Sequence, residues 1–322
     1  MTVRVAAFLV LALTLAFTAA VLLPWPVLHD LLDRDRALGI ALIVDLRLPR
    51  ALLALAYGAT LGAAGAAIQA LFGNPLASPD LTGTTSGAAL GAVVTAYLFG
   101  FAAPIALSVG AVAGALGALA LLLALAGPRA ETATLLLSGL AISALAGALT
   151  TLALALAPSP FAFYDAYDWL MGSLIDRSLD QSAFAALPAL LTILLLLRLG
   201  PSLDRLALGE EVAESLGHRV ARLRLEVVCL TAFGVGACVA ICGAIGFVGL
   251  VAPIFARRLT AGHPGRAILP AAMIGALLLI AADLVVRLAP LGRTLPIGVV
   301  TALLGAPFFL WLVAHMRWRL RA

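Results

Sequence analysis

The sequence predicts an all-α integral membrane protein, a single domain over residues 1–322 built from ten transmembrane helices. Three observations carry this. Hydrophobic residues make up 63% of the chain and charged residues only 11%, against about a quarter charged in an ordinary soluble domain. Apolar runs of roughly 20 residues, long enough to cross a bilayer, recur along the whole length. The polar stripes at helical spacing that would mark a soluble helical core are missing.

The spans follow in order. Residues 3–23 form the first. Arg4 and the small residues Thr18-Ala19-Ala20 also fit a cleaved signal peptide, but the stretch is long enough to cross and leads into nine more. Residues 24–50 read as a polar connection holding Asp30, Asp33, Asp35 and Asp45. Span 2 covers 51–72 and stops at Asn74-Pro75-Leu76-Ala77-Ser78-Pro79-Asp80, where two prolines stiffen the turn and Asn74 and Asp80 can satisfy free backbone groups. Spans 3, 4 and 5 fall at 83–100, 103–126 and 133–157, and a polar connection with Trp169 occupies 158–181. Span 6 is 182–199, followed by the most hydrophilic segment, 200–224. Spans 7 to 10 lie at 222–242, 245–259, 267–288 and 296–315; the eighth, with Pro253, is the weakest. Gly58, Gly62 and Gly65 in span 2, and Gly110, Gly114 and Gly117 in span 4, are spaced to let helix backbones approach closely in lipid.

Charge sets the orientation. With the N-terminus inside, thirteen of the twenty arginines fall on cytoplasmic segments and seven outside, as the positive-inside rule requires for both termini cytoplasmic. The net charge of +4 therefore speaks for a membrane partner and not for nucleic acid. No lysine occurs anywhere, which excludes a phosphate-binding P-loop and a Schiff base. If ATP drives this chain, another chain hydrolyses it. Cys238 and Cys242 share a helix face, but buried cysteine acting as a small hydrophobe is the commoner case, so no metal site is assigned. No His-Glu-x-x-His motif occurs, and His29, His218, His263 and His315 all lie outside the deep parts of the spans. That argues against an intramembrane enzyme.

Asp283 is the one acidic residue deep in a span. An intramembrane carboxylate is a functional candidate by default, but Arg287 at i+4 is placed to pair with it, which favours a structural pair over an ion-coupling site. In 200–224, two short helices broken at Gly209 and Gly217 are expected, with Glu210 and Glu211 in the first turn of the second, where carboxylates suit the helix dipole. Leu208, Val212 and Leu216 recur at i, i+4 and i+8 and give it an apolar edge. The segment is either a solvated loop or a docking surface for a cytosolic partner.

Taken in order, several segments resemble the permease family of bacterial ATP-binding-cassette importers for iron–siderophore complexes, heme and vitamin B12. They are Arg47-Leu48-Pro49-Arg50, Gly65 to Gln69 with Asn74-Pro75-Leu76-Ala77-Ser78-Pro79, Trp169 to Leu174, Leu208-Gly209-Glu210-Glu211-Val212-Ala213 through Leu216-Gly217, Gly243 to Leu250, and Leu295 to Pro307. The resemblance implies a homodimer of ten-span subunits in the inner membrane, with spans 2–5 and 7–10 related by an inverted pseudo-repeat. It implies two cytosolic ATPase subunits that hold the ATP and magnesium, and a periplasmic or lipid-anchored substrate-binding protein. The chain itself would carry no cofactor and no catalytic residue. By the same resemblance, the helices over 203–217 touch the ATPase, Arg47, Arg50 and Arg287 face acidic residues of the binding protein, and Asn74, Pro75, Leu76 and Thr132 lie near the cytoplasmic gate. Two positions depart from the family pattern: Ile254 follows Pro253 where a histidine is usual, and His263-Pro264-Gly265-Arg266 replaces an Asp-His-Arg. The alternative is a secondary transporter or channel.

The arginine bias yields a direct test. Reporter fusions at Asp204 and Gly262 are expected to read cytoplasmic and fusions at Asp35 and Asp168 periplasmic. A periplasmic signal at Gly262 would mean that the eighth span does not cross.

Overall fold

The computed structural model describes residues 3–97, 99–100, 104–127, 132–288 and 295–319, and among these all regular structure is helical. Helix α1 (Val3–Leu22) is followed by α2 (Trp25–Arg34), α3 (Arg36–Ala41) and α4 (Leu48–Leu71), with a π-helical turn over Leu42–Arg47 joining the last two. The chain from Arg36 to Leu71 is thus one continuous helix, and the expected polar connection over 24–50 is helical for most of its length. Its exposed charges Asp30, Asp33, Arg34 and Arg36 mark the wet side of these short helices, and Asp35 caps α3 by accepting from the Ala37 and Leu38 amides at 3.1 Å. Next come α5 (Thr84–Tyr97), α6 (Pro104–Ala126), α7 (Thr132–Ala155) and α8 (Pro160–Leu170). The second half holds α9 (Leu179–Leu206), α10 (Glu210–Ser215), α11 (Val220–Cys242), α12 (Val248–Leu259), α13 (Ile268–Leu288) and α14 (Ile297–Arg319).

Seven of the described helices are long and apolar enough to cross a bilayer: α1, α3–α4, α6, α7, α9, α11 and α13. Helices α5 and α12 have 14 and 12 residues. At ~1.5 Å per residue neither spans the ~30 Å hydrocarbon core alone. Each is entered through irregular backbone: Gly83 at φ 78° before α5, and Gly243 and Phe247 at φ 73° and 66° before α12. Helix α9 is longer than the 182–199 expected. It starts at a capping box between Ser178 and Gln181 and runs unbroken through Pro188 and Pro201 to Leu206. Burial of Leu203 and Leu206 against the bundle holds its last turn in spite of Pro201, so the first of the two short helices expected after residue 200 is the end of α9.

Helix α4 is the centre of the bundle, packed by α9, α11, α12 and α13. Its glycines make this packing. A Cβ on Gly58 would lie 2.5 Å from the Gly275 carbonyl oxygen, one on Gly62 2.0 Å from that of Ala271, and one on Gly65 1.9 Å from that of Gly249. The predicted small-residue spacing of span 2 is therefore a backbone-to-backbone contact with α13 and α12. A second crossing of the same kind joins α5 and α6, where a Cβ on Gly91 would stand 2.1 Å from the Gly110 oxygen. Buried polar groups of α4 hold the break before α12. Tyr57 donates to the Gly243 carbonyl at 3.2 Å and accepts from the Ile245 amide at 3.3 Å, and Gln69 Nε2 donates to the Leu250 carbonyl at 3.1 Å.

Gly65→Val is expected to destabilise the chain in micelles by at least about 1–3 kcal/mol, the range for overpacking a tight interior. Gly117→Ala, where a Cβ would meet nothing within 4 Å, should leave the melting temperature unchanged or raise it. Equal melting temperatures for the two variants would contradict the close α4–α12 crossing.

Candidate functional site

Helix α9 separates two polar clusters. Near its start, the Ser182 hydroxyl donates to the Pro49 carbonyl at 3.2 Å, beside Arg47 and Arg50. Its last turn leads into α10, 28 residues later, a distance of about 42 Å.

At the α10 end the chain forms an elbow. Gly209 stands at φ 111°, a conformation that L side chains avoid, and it lets the chain turn sharply from α9 into α10. The predicted apolar edge is there: Leu208, Val212 and Leu216 are 64%, 44% and 56% exposed, while Ala213 is buried against the bundle. Gly217, at φ 85°, closes the elbow before α11. Fasteners join the elbow to the rest. Glu210, in the first turn of α10 as expected, accepts from Arg224 of α11. Asp204 accepts from the Gly265 amide at 2.8 Å, tying α9 to the turn before α13. Arg205 and His218 approach to 2.8 Å across the elbow. Glu211 and Glu214 remain exposed.

At the opposite end, the expected pairing of Asp283 with Arg287 is not what forms. Asp283, 1% exposed, accepts from Arg50 Nε at 2.7 Å, and its second carboxylate oxygen has no described partner. Arg287 turns instead to α1 and donates to the Ala20 and Leu23 carbonyls. Arg47, itself buried, donates to the Val21 and Leu22 carbonyls at 3.2 and 3.1 Å. The physical reason is plain: the last carbonyls of a helix have no intrahelical donor, and a cation there also suits the helix dipole. Two arginines thus cap α1 while the third takes the buried carboxylate. The terminal amino groups of Arg50 have no described acceptor.

The gate candidates sit at the end of α4. Asn74 Oδ1 accepts from the Leu76 amide at 2.9 Å, closing a tight turn around Pro75, and all three residues are half-buried. Thr132 opens α7, and its side chain lies outside the described residues. Sequence reasoning missed the fasteners Asp204, Arg205, His218 and Arg224, and no local spacing could have found them, since Glu210 and Arg224 meet across a turn 14 positions apart.

The sequence profile of the FecCD transport family matches residues 6–315. The chain belongs to that family. It is 41% identical over 285 residues to the vitamin B12 import system permease protein BtuC of Vibrio cholerae, covering 85% of this chain and 83% of that one. To the Fe(3+)-citrate import system permease protein YfmE of Bacillus subtilis it is 37% identical over 292 residues, covering 90% and 86%. A solved structure described as an inward-facing conformation of a metal-chelate type ABC transporter superposes with a TM-score of 0.87 at 32% identity, covering 97% of this chain and 99% of that one. The FecCD membership thus extends from α1 into α14 and takes in both clusters.

Removing one partner of a buried ion pair leaves the other charge uncompensated, at a cost of about 3–5 kcal/mol. Asp283→Ala is accordingly expected to destabilise the chain by that amount. The Arg50→Leu, Asp283→Ala double variant should lose less than the sum of the single changes. Additive losses in thermal unfolding would show that the two groups do not interact.

Proposed function

We propose that this chain is the membrane-spanning permease subunit of an ATP-driven importer that carries a metal chelate, such as an iron(III)–siderophore complex, heme or cobalamin, across the bacterial inner membrane. Family membership sets the class of machine. The observation that carries the mechanism is the elbow, which shows an apolar edge to solvent while polar contacts fasten it to α11 and to the turn before α13. A loop that merely joined two spans would need neither. A segment that must receive a push and pass it on needs both.

Two cytosolic ATPase subunits, holding ATP and magnesium, would grip Leu208, Val212 and Leu216. Displacement of the elbow would then pass through Glu210–Arg224 to α11 and through Asp204–Gly265 to α13, and so to the glycine crossings around α4. The turn at Asn74-Pro75-Leu76, with Thr132 at the start of α7, lies at the same end and would narrow or widen the cytoplasmic gate. At the opposite end, Arg50 offers free donors beside Arg47 and Arg287, a positive patch suited to acidic residues of a substrate-binding protein. We infer a homodimer around a central pathway, both termini cytoplasmic, and ten crossings in which the irregular entries to α5 and α12 complete their short helices. Irregular backbone at membrane depth is tolerated where protein buries it. An inverted pseudo-repeat of spans 2–5 and 7–10 agrees with the packing, since α6 meets α5 and α11 as α13 meets α12 and α4. The engagement of Asp283 by Arg50 favours a structural carboxylate over the ion-coupling site that a secondary transporter would need.

Burial of a leucine is worth roughly 1.5–3 kcal/mol, so Leu208→Asp and Leu216→Asp should each weaken assembly with the ATPase about ten-fold or more while leaving the membrane domain folded. The double variant should not transport. Full uptake by the double variant at normal expression would remove the coupling role.

A further inference from the structure

Between the elbow and the end of α4 lies an open cavity of about 380 Å³, walled by Gln69 of α4 and its C-cap Phe72, Gly209 and Glu210 of the elbow, Arg257 in the last turn of α12, and Pro264 of the α12–α13 turn. Two polar atoms of this wall have no described partner. Gln69 is wholly buried; its amide nitrogen serves the Leu250 carbonyl and its Oε1 accepts nothing. Arg257 Nε is shielded from solvent and donates to nothing, and no described carboxylate neutralises that guanidinium. The acidic group in the wall, Glu210, is already taken by Arg224. Buried polar groups are normally satisfied, and an uncompensated buried charge is costly. A donor and an acceptor left unsatisfied in two side chains that wall one cavity therefore describe a receptor without its ligand.

The chemistry of that ligand follows from the fork of the guanidinium, which matches a carboxylate with two parallel hydrogen bonds. Of the two charged side chains in the wall, Glu210 is already paired with Arg224, so Arg257 leaves the cavity positive. The source follows from place: the cavity wall includes the first residues of the elbow whose apolar edge awaits a partner. We propose that Arg257 receives one aspartate or glutamate side chain of the cytosolic ATPase, inserted between α10 and the end of α4 as the elbow docks. This rests on the reading of the elbow as the ATPase-docking segment. Gln69 Oε1 supplies an acceptor for a backbone N–H of the same incoming segment. Because Gln69 also holds the Leu250 carbonyl, insertion links the ATPase directly to α4 and α12, beside the crossing of Gly65 and Gly249.

The test uses the chain in lipid nanodiscs with its own ATPase subunit. Arg257→Gln should weaken assembly by about 30-fold or more, as for a truncated buried charge pair, Arg257→Lys should recover part of the loss, and the melting temperature of the chain without ATPase should stay unchanged or rise, since no partner is lost. A photo-crosslinking amino acid at position 257 should capture an ATPase peptide containing an acidic residue. Changing that acid to arginine should restore Arg257→Glu. Wild-type assembly by Arg257→Gln would overturn the proposal. So would a fall in melting temperature that accounts for the lost binding, or capture of phosphatidylglycerol in place of ATPase. Leu216→Asp, run in parallel, separates the two readings. If it assembles normally, the docking role of the elbow fails; if it alone is defective, only the role of Arg257 fails.

Discussion

The contact of backbone with backbone along α4 is the constraint from which the rest of the bundle takes its position. Lipid offers no hydrophobic drive for one helix to join another, so association relies on close packing and hydrogen bonds. Gly58, Gly62 and Gly65 bring the carbonyls of Gly275, Ala271 and Gly249 to where a side chain would otherwise stand. Once α12 and α13 lie that close, Tyr57 can reach the break after α11 and Gln69 can reach the Leu250 carbonyl. The short helix α12 is then held by α4 at both its entry and its first turn. Packing of this kind has two discrete arrangements more readily than a continuum, because a crossing made of main chain cannot yield by rotating side chains.

The polar groups divide along the length of α9. At the α10 end they are fasteners between helices and turns, and they make an exposed elbow stiff. At the other end they bury one carboxylate and spread three guanidinium groups over it and over the end of α1. The same residue types do different work because their partners differ: Glu210, Asp204 and His218 join separate elements at one end, whereas at the other Arg50 takes a carboxylate and Arg47 and Arg287 take main-chain oxygens of a helix terminus.

Much of this was legible in the residues. Apolar runs located the helices, and the i, i+4, i+8 spacing of Leu208, Val212 and Leu216 gave the exposed edge of the elbow, because both signals are local. Small residues at four-residue spacing announced close crossings, though not which helices cross. What local pattern could not give was partner choice. Arg287 is one turn from Asp283 and looked like its mate, yet Arg50 lies 233 positions away in sequence and takes the carboxylate, since the unsatisfied carbonyls of α1 compete for Arg287. Helix extent misled for a related reason. Charged residues over 24–50 and prolines near 200 are loop signals in isolation, whereas amphipathic exposure and burial of Leu203 and Leu206 decided the outcome.

The cap on α1 has a consequence for how this helix can change. Only 11% of its apolar window is buried inside the chain, so side-chain packing holds it weakly. Beyond the packing of Leu9, Leu13, Ala16 and Phe17 on the bundle, its end is held through the Ala20, Val21, Leu22 and Leu23 carbonyls, which any residue would provide. Arg47 and Arg287 therefore measure where α1 stops and are blind to what it is made of. The exposed apolar side chains of α1, such as Phe8, Val10, Leu11 and Leu15, can drift freely over generations, while insertion or deletion of a single residue would rotate its terminal carbonyls by about 100° and slip them off the two guanidinium groups.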